Sequence, residues 1–290
     1  IRPRDWSSDV CSSDLAATAL ALTGCTNDDS AVKESTSSSA SVVSAEEIMK
    51  SGVLIIGTDA DYPPNEYKDD QGNPTGWGVE LANAVAEQMG LKPEWQIIPF
   101  EGILPRIEEG AVNMGSSSFT DNATRQKTVD FVNFLDAGSM WAAPAGSNVN
   151  PDDACGLTIS VQADTVQHTD ELPAKSKACT DAGKPAIEIL PFDGQAQATG
   201  AVIDGRAAAT SGDFPVIVDA VQQSEGKLEL TGEMFDSAPY GFAVQKDSGM
   251  AEAVQAALQE LMDNGTYLKI LTDAGFEAGA IDKATINAGK

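Results

Sequence analysis

The fold is decided by a stretch of twelve residues that reads Val53-Leu54-Ile55-Ile56-Gly57-Thr58-Asp59-Ala60-Asp61-Tyr62-Pro63-Pro64. Its first four residues form a continuous apolar run of strand length, which is typical of a parallel strand buried on both faces. The residues that follow the run are mostly polar or turn-forming. Because ligand sites in open α/β sheets lie beyond the carboxyl ends of strands, this stretch predicts an α/β sheet with a binding loop at that edge.

The residues on either side of this stretch predict helices. Ser44 and Glu47 have the spacing of a capping box, which predicts a short helix that ends near Gly52. Residues 79–89 place apolar side chains at helical spacing, and Gly90 follows the last of them. Helix and strand therefore alternate, which indicates a parallel sheet with crossover helices.

The alternation resumes in the second half of the chain. Residues 157–161 and 187–190 have the pattern of strands, and residues 194–204 and 214–223 have that of helices. We therefore predict two Rossmann-like α/β lobes joined by a two-segment hinge. The predicted bounds are 46–140 plus 240–290 for lobe 1 and 141–239 for lobe 2, with hinge segments near 138–146 and 236–243.

The first 45 residues are predicted to lie outside both lobes. Residues 1–15 resemble translated sequencing-adapter sequence, so we expect them to be non-native. Residues 16–25 are apolar and end in Leu22-Thr23-Gly24-Cys25, which resembles a truncated lipoprotein signal peptide with a lipobox and implies a lipid on Cys25. A buried helix fragment is the alternative interpretation. Residues 26–45 are rich in Ser and Thr, which predicts a flexible tether.

The charge and the histidine content exclude several classes of function. The 44 acidic and 18 basic residues give a net charge of −26, which repels nucleic-acid phosphates. We therefore expect no nucleic-acid partner. His168 is the only histidine, so a His-rich metal site is excluded and a catalytic triad would depend on this one residue. We expect neither a metal nor a cofactor.

Two cysteines of lobe 2, Cys155 and Cys179, are 24 positions apart. In an exported protein such a pair predicts a disulfide bond. Two buried thiols are the alternative.

Polar loops follow the predicted strands in both lobes. In the first lobe the residues after the strands are 57–64 and 115–120, with Arg125 shortly after them, and in the second lobe they are 162–165 and 211–215. These loops offer hydroxyls, carboxylates and one guanidinium. A zwitterion needs this mixture, since its carboxylate suits a guanidinium fork and its ammonium suits carboxylate acceptors.

At these positions the sequence resembles the family 3 extracellular solute-binding proteins, which are polar-amino-acid receptors of ABC importers. The resemblance covers about residues 46–275. Its motifs, which are specific in this order and spacing, are 57–59 with 62–64, Gly76-Trp77 before 80–82, 100–105, 117–120 through Arg125 to 129–131, 213–215, 240–244 and 264–271.

The resemblance implies a periplasmic-binding-protein type II fold and a chain that delivers an amino-acid ligand to an ABC permease in the membrane. It implies binding without catalysis. We expect a monomer that lies outside the cytoplasm, anchored to the outer face of the cell membrane (or in a periplasm) through the lipid on Cys25. The alternatives are a cleft enzyme on the same fold, such as a dehydratase or lyase, and an amino-acid-sensing surface lipoprotein.

The resemblance also implies which residues hold the ligand's α-carboxylate. Arg125 resembles the family's bidentate clamp, and Ser116 and Ser118 resemble its neighbouring polar contacts. Thr165 lies where the family offers an amide or a hydroxyl. Taken one by one, the arginine is as easily a solvated surface residue and the serines a polar turn.

The remaining implied contacts lie around the ligand's ammonium group and side chain. Asp213 in lobe 2 resembles the partner of the α-ammonium, with Asp59 of lobe 1 near the same end. Tyr62 and Phe100 resemble aromatic walls around the ligand side chain. Each aspartate is alternatively a helix N-cap, and each aromatic residue a core residue.

Three departures from the family pattern affect the predicted site. Asn65 replaces an aromatic residue, Gly78 stands where an acid is common, and Asp164 stands where glycine is usual. At such a position an aspartate crowds a carboxylate, faces a cationic ligand end or points to solvent. The acidic loops around one motif arginine favour a neutral or basic amino acid over an acidic one.

Overall fold

The computed structural model describes residues 42–290. The adapter-like residues, the signal segment with Cys25 and residues 26–41 of the tether lie outside the described residues. We keep lobe 1 and lobe 2 as names for the ranges defined above.

Lobe 1 begins with the capped helix that the sequence predicts. The Ser44 side chain accepts a hydrogen bond from the Glu47 amide, the Glu47 carboxylate accepts one from the Ser44 amide, and Gly52 ends the helix with φ 73°. The elements up to the first crossing are α1 (Ala45–Ser51), β1 (Val53–Thr58), β2 (Asp61–Tyr62), β3 (Glu66–Lys68), β4 (Pro74–Thr75), α2 (Trp77–Gln88), β5 (Lys92–Ile97), α3 (Phe100–Glu108), β6 (Met114–Gly115) and β7 (Val129–Pro144).

Lobe 2 repeats the alternation of strand and helix, and the chain then returns to lobe 1. The elements of lobe 2 are β8 (Thr158–Gln162), α4 (Leu172–Asp181), β9 (Glu188–Phe192), α5 (Gln195–Ile203), β10 (Ala209–Asp213) and α6 (Phe214–Gln223). The return is made by β11 (Leu228–Gln245), which is followed by α7 (Met250–Asp263), α8 (Thr266–Ala274) and β12 (Ala280–Ile286).

The main sheet is mixed, whereas the sequence pattern indicated a parallel sheet. The order is β5-β1-β6-β11-β7-β10-β8-β9, and β12 pairs with β7. Each outer trio is parallel, but β7, β11 and β12 pair antiparallel. The difference arises because two long strands pass between the lobes in opposite directions, and neighbours with opposite directions form antiparallel ladders.

The two long strands, β7 and β11, are the only segments of the described chain that pass from one lobe to the other within the sheet. Their pairing runs from Val129–Gln245 in lobe 1 to Pro144–Leu228 in lobe 2, with three register shifts between Thr231 and Gly241. Such irregularities disrupt the ladder locally and bend a strand. The predicted hinge segment 236–243 lies within β11, and the segment 138–146 lies in β7 up to Pro144. Hinge rotation stays a prediction.

Each lobe has an apolar core of its own. In lobe 1 the largest cluster includes Leu54 and Phe242, both with no exposed surface. In lobe 2 a separate cluster surrounds Trp141 and includes the Cys155–Cys179 disulfide, whose S–S distance is 2.02 Å. The predicted disulfide is present, and it closes a loop that stabilises the fold by about 3 kcal/mol in the chain-entropy model.

Within residues 42–290, no helix is long and apolar enough to cross a membrane. The same residues hold no group of three or more His, Cys, Asp or Glu side chains arranged to bind a metal ion.

Candidate amino-acid-binding cleft

One cavity lies between the lobes, at the carboxyl ends of β1, β6, β8 and β10. The space between its lining atoms, open solvent included, is about 260 Å³. The lining residues are Asp59, Tyr62, Phe100, Ser117, Ser118, Thr120, Arg125, Gln162, Thr165, Val166, Gln167 and Asp213. The cavity therefore brings together seven of the eight predicted residues, and Ser116 is not among them.

Arg125 is held by two aromatic rings and two carbonyl groups. Its guanidinium lies 5.6 Å from the ring centre of Phe100 and 5.6 Å from that of Phe119, which are stacked on one another. One terminal nitrogen donates to the carbonyl of Thr120 at 2.8 Å, and the other donates to the carbonyl of Asp164 in lobe 2 at 3.0 Å. A guanidinium has five donors, so about three remain for a ligand. The arginine is therefore a fixed fork at the cavity wall.

Asp213 lies at the N-cap position of α6, but its side chain makes no capping bond. Its carboxylate instead accepts hydrogen bonds from the Tyr62 hydroxyl at 2.8 Å and from the Gln167 side-chain amide at 2.8 Å. The Tyr62 bond crosses the cleft between the lobes. Burial raises the pKa of the Asp213 carboxyl above its usual value. A carboxylate that does not cap the helix and that faces the cleft between the lobes has the position expected of an ammonium acceptor.

Asp59 makes a second bond across the cleft. Its carboxylate accepts from the Ser117 hydroxyl at 2.9 Å and from the Gln162 side-chain amide of lobe 2 at 2.9 Å. Burial raises the pKa of Asp59 above its usual value, because removal from water penalises the charged form. A cationic group in the cavity would stabilise this carboxylate in its ionised form.

The three consecutive serines differ in position. Ser118 has a left-handed backbone with φ 48°, which breaks the alternation of an extended segment. As a result Ser117 and Ser118 line the cavity, while the buried Ser116 hydroxyl has no hydrogen-bond partner among the described residues. Thr165 lines the cavity, and its hydroxyl donates to the Gln162 carbonyl at 2.8 Å.

Two of the departures from the family pattern meet in one buried network beneath the cavity. Asn65 accepts from the Trp77 indole at 2.8 Å and donates to the Ser118 hydroxyl at 2.9 Å. That hydroxyl donates to Glu66 at 2.8 Å. At Gly78 a Cβ atom would overlap the other Glu66 carboxyl oxygen, so glycine leaves the space that Glu66 fills. The asparagine and the glycine therefore belong to one arrangement that supports Ser118 from below.

The third departure, Asp164, keeps its carboxylate away from the cavity. The residue is exposed and has φ 59°, a left-handed conformation in which glycine is the least strained residue. Its contribution to the site is the carbonyl that accepts from Arg125. Its amide donates to the His168 ring at 3.1 Å. Of the three possibilities for this aspartate, the structure has the one in which it points to solvent.

Sequence reasoning missed two glutamines of lobe 2 that reach the cleft carboxylates. Gln162 stands in a loop singled out for its polarity, but glutamine at the end of a strand carries no specific signal. Gln167 lies in a single π-helical turn, Gln167–Glu171, which projects it toward Asp213 and toward the Ser139 hydroxyl at 2.9 Å. Turns of this kind often occur at functional sites, and no sequence pattern marks this one.

The cavity wall is predominantly acidic. Asp59 and Asp213 line it, Glu66 lies directly behind Ser118, and Arg125 is the only cationic side chain among the lining residues. Burial raises the pKa of Glu66 to about 8. With one cation and two aspartates at its wall, the cavity favours a ligand that brings more positive than negative charge.

Comparison with known proteins places the chain in a family. Residues 54–274 match the model of the bacterial extracellular solute-binding proteins of family 3. The chain is 40% identical over 244 residues to the arginine-binding protein ArgT of Corynebacterium glutamicum, covering 83% of this chain and 80% of that protein. This chain therefore belongs to the bacterial extracellular solute-binding proteins of family 3, as its motifs predict.

Solved structures agree with this assignment. An ancestral arginine-binding protein bound to arginine has 32% identity and a TM-score of 0.70, over 77% of this chain and 97% of that one. The arginine-, lysine-, histidine-binding protein ArtJ of Geobacillus stearothermophilus has 26% identity and a TM-score of 0.70, over 79% and 96% of the two chains. The predicted two-lobed fold is confirmed.

Proposed function

We propose that this protein is the binding component of an ABC importer for a cationic amino acid, with arginine as the first candidate. One observation carries the proposal: Arg125 of lobe 1 and Asp213 of lobe 2 line the same cavity, and a further carboxylate, Asp59, lines it with no lysine or arginine among its hydrogen-bond partners in residues 42–290. The relatives named for arginine support the same ligand.

In this proposal the guanidinium of Arg125 binds the α-carboxylate, because its planar fork matches the two carboxylate oxygens. Asp213 accepts from the α-ammonium, with Gln167 and Tyr62 fixing the orientation of its carboxylate. Asp59, for which the family resemblance implies a place near the α-ammonium, faces the cationic end of the ligand side chain in this proposal. Ligands without a positive side chain would leave this buried carboxylate without a charge partner, and that cost is the source of selectivity.

Closure of the lobes is the step that encloses the ligand in the cleft. Direct hydrogen bonds join the lobes at the cavity, among them Tyr62 to Asp213, Gln162 to Asp59 and Arg125 to the Asp164 carbonyl. A ligand that contacts both walls favours this closed arrangement over an open one. The bends in β7 and β11 provide the rotation, and the permease recognises the closed form.

We also propose the finer features of localisation and assembly. The lipid on Cys25 holds the protein at the outer face of the cell membrane, with residues 26–45 as the tether apart from the last of them, Ala45, which begins α1. The protein acts as a monomer that releases its ligand unchanged. The acid best suited to catalysis, Glu66, lies behind Ser118 and not at the cavity wall, which is why we favour binding over a dehydratase or lyase.

Titration calorimetry with arginine, lysine, glutamine and glutamate tests the ligand class. We expect arginine to bind tightest, and Asp59→Asn to weaken arginine binding by about 100-fold, the cost of removing one partner of a buried charge pair. Asp70→Asn is the matched control, because it removes the same charge from an exposed side chain of lobe 1 that does not line the cavity. Tightest binding of glutamate, or equal losses in both variants, would refute the proposal.

Mass spectrometry of the ligand after incubation separates a receptor from an enzyme. An unchanged amino acid recovered in a stoichiometric amount agrees with transport, whereas a shifted mass would identify turnover.

A further inference from the structure

We propose that the last four residues of the sequence, Asn287–Lys290, position the loop that carries Arg125, and so belong to the carboxylate-binding apparatus. The match to the family model ends at residue 274. The residues beyond it form β12 and then a short segment that lies against the loop Thr120–Arg125. The inference rests on the proposed function, since it assigns these residues a part in the same site.

The segment contacts both ends of the loop. The amide of Gly289 donates to the Asp121 carboxylate at 2.8 Å, and the carbonyl of Gly289 accepts from the Gln126 side chain at 3.0 Å. The Gln126 side chain also donates to the other Asp121 carboxyl oxygen at 2.6 Å. A closed set of hydrogen bonds therefore joins the residue after Arg125, the residue after Thr120 and the end of the chain.

Asp121 is the centre of this set. The residue is 1% exposed, and its carboxylate accepts three hydrogen bonds, from Gly289, Gln126 and Asn133. No lysine or arginine contacts this carboxylate among the described residues. Buried carboxylates without a cation depend on such donors, so the loss of one is costly.

The segment is itself anchored to the sheet of lobe 1. Asn287 accepts from the Phe131 amide at 2.8 Å and donates to Asp130 at 2.8 Å, and the Ala288 amide donates to the buried Asn133 side chain at 3.1 Å. Asn133 in turn contacts Asp121 at 3.0 Å. The loop is thus tied to β7 both directly and through the segment.

The fit at Gly289 leaves no room for a side chain. A Cβ atom at this position would overlap the carbonyl oxygen of Asp121. Close approach of two backbones is the reason that glycine is required here. The adjacent carbonyl, that of Thr120, is the one that accepts from the Arg125 guanidinium. Displacing the segment would therefore disturb the support of the arginine fork within two residues of the contact.

Gly289→Ala in the full chain tests the inference, with removal of residues 287–290 as a second variant. The matched control is Gly200→Ala, since a Cβ atom at that helical glycine meets no atom within 4 Å. The first readout is the side-chain Nε–H resonance of Arg125 in nitrogen-15 NMR, identified by its loss in Arg125→Lys. The second readout is the affinity for arginine.

We expect both test variants to shift or broaden the Arg125 resonance and to weaken arginine binding by about tenfold or more, as for the loss of a bond to a charged group. The control should change neither quantity. An unchanged Arg125 resonance, or unchanged arginine affinity in both folded variants, would overturn the inference. If the unaltered protein binds no amino acid, the proposed function fails, while the resonance still decides whether the segment positions Arg125.

Discussion

Replacing Glu66 by glutamine should remove about 3 to 4 kcal/mol of the loss of folding stability that we expect between about pH 5 and pH 8. The Glu66 side chain has no exposed surface. One carboxyl oxygen accepts from Ser118, and the other has no partner among the described residues. Burial raises its pKa to about 8, with the neighbouring Asp59 and Asp213 charges acting in the same direction.

The sign of the effect follows from where the proton is held. Between a pKa of about 4.5 in the unfolded chain and about 8 in the folded protein, the folded state keeps a proton that the unfolded state has released. The contribution of Glu66 to the free energy of unfolding is therefore highest at acid pH and falls as the pH rises. A tenfold change in proton concentration corresponds to ~1.4 kcal/mol. The loss of stability from Glu66 between about pH 5 and pH 8 is therefore about 3 to 4 kcal/mol. Glu171, whose pKa burial raises to about 7, adds a loss of the same sign at the lower end of the range.

Urea unfolding followed by tryptophan fluorescence at about pH 5, 6.5 and 8 measures the effect. Glu66→Gln retains an acceptor for Ser118 and resembles the protonated acid, so we expect near-equal stability at acid pH and a smaller loss at alkaline pH. Glu87→Gln removes the same charge from an exposed helical position and is the control. Parallel profiles for the unaltered protein and Glu66→Gln would refute the reasoning.

Three further predictions follow from single contacts. Replacing Cys155 and Cys179 with serine should lower the free energy of unfolding by about 3 kcal/mol in urea titrations, and a loss below ~1 kcal/mol would contradict the loop-closure account. Tyr62→Phe removes a 2.8 Å bond to Asp213 across the cleft, so arginine affinity should fall by about 5- to 10-fold with the thermal midpoint almost unchanged. Gly78→Ala places a Cβ atom against a buried Glu66 carboxyl oxygen and should lower the free energy of unfolding by about 1–3 kcal/mol. An unchanged midpoint of urea unfolding would show that the Glu66 network accommodates the added methyl group.

Much of the candidate site was predictable because its residues stand in loops directly after strands. Asp59 follows β1 and Asp213 ends β10, so each is placed at the same edge of the sheet by its strand. The family resemblance implies contacts at Ser116 and Ser118, whereas Ser117 and Ser118 line the cavity and Ser118 has a left-handed backbone. A left-handed backbone is rare for serine, and no sequence pattern predicts it at Ser118.

The alternation of strands and helices, the capping box, the disulfide pair and the polar loops could be predicted from the residues alone, because these features depend on local periodicity and on chemistry close along the chain. Three further features depend on tertiary contacts. β7 and β11 join the lobes in one mixed sheet, Gln162 reaches Asp59, and residues 287–290 lie against the Arg125 loop. The Gln162–Asp59 and Gly289–Asp121 contacts link positions more than 100 residues apart. Their formation depends on how the packed lobes and residues 287–290 are arranged in space, and local sequence patterns do not predict that arrangement.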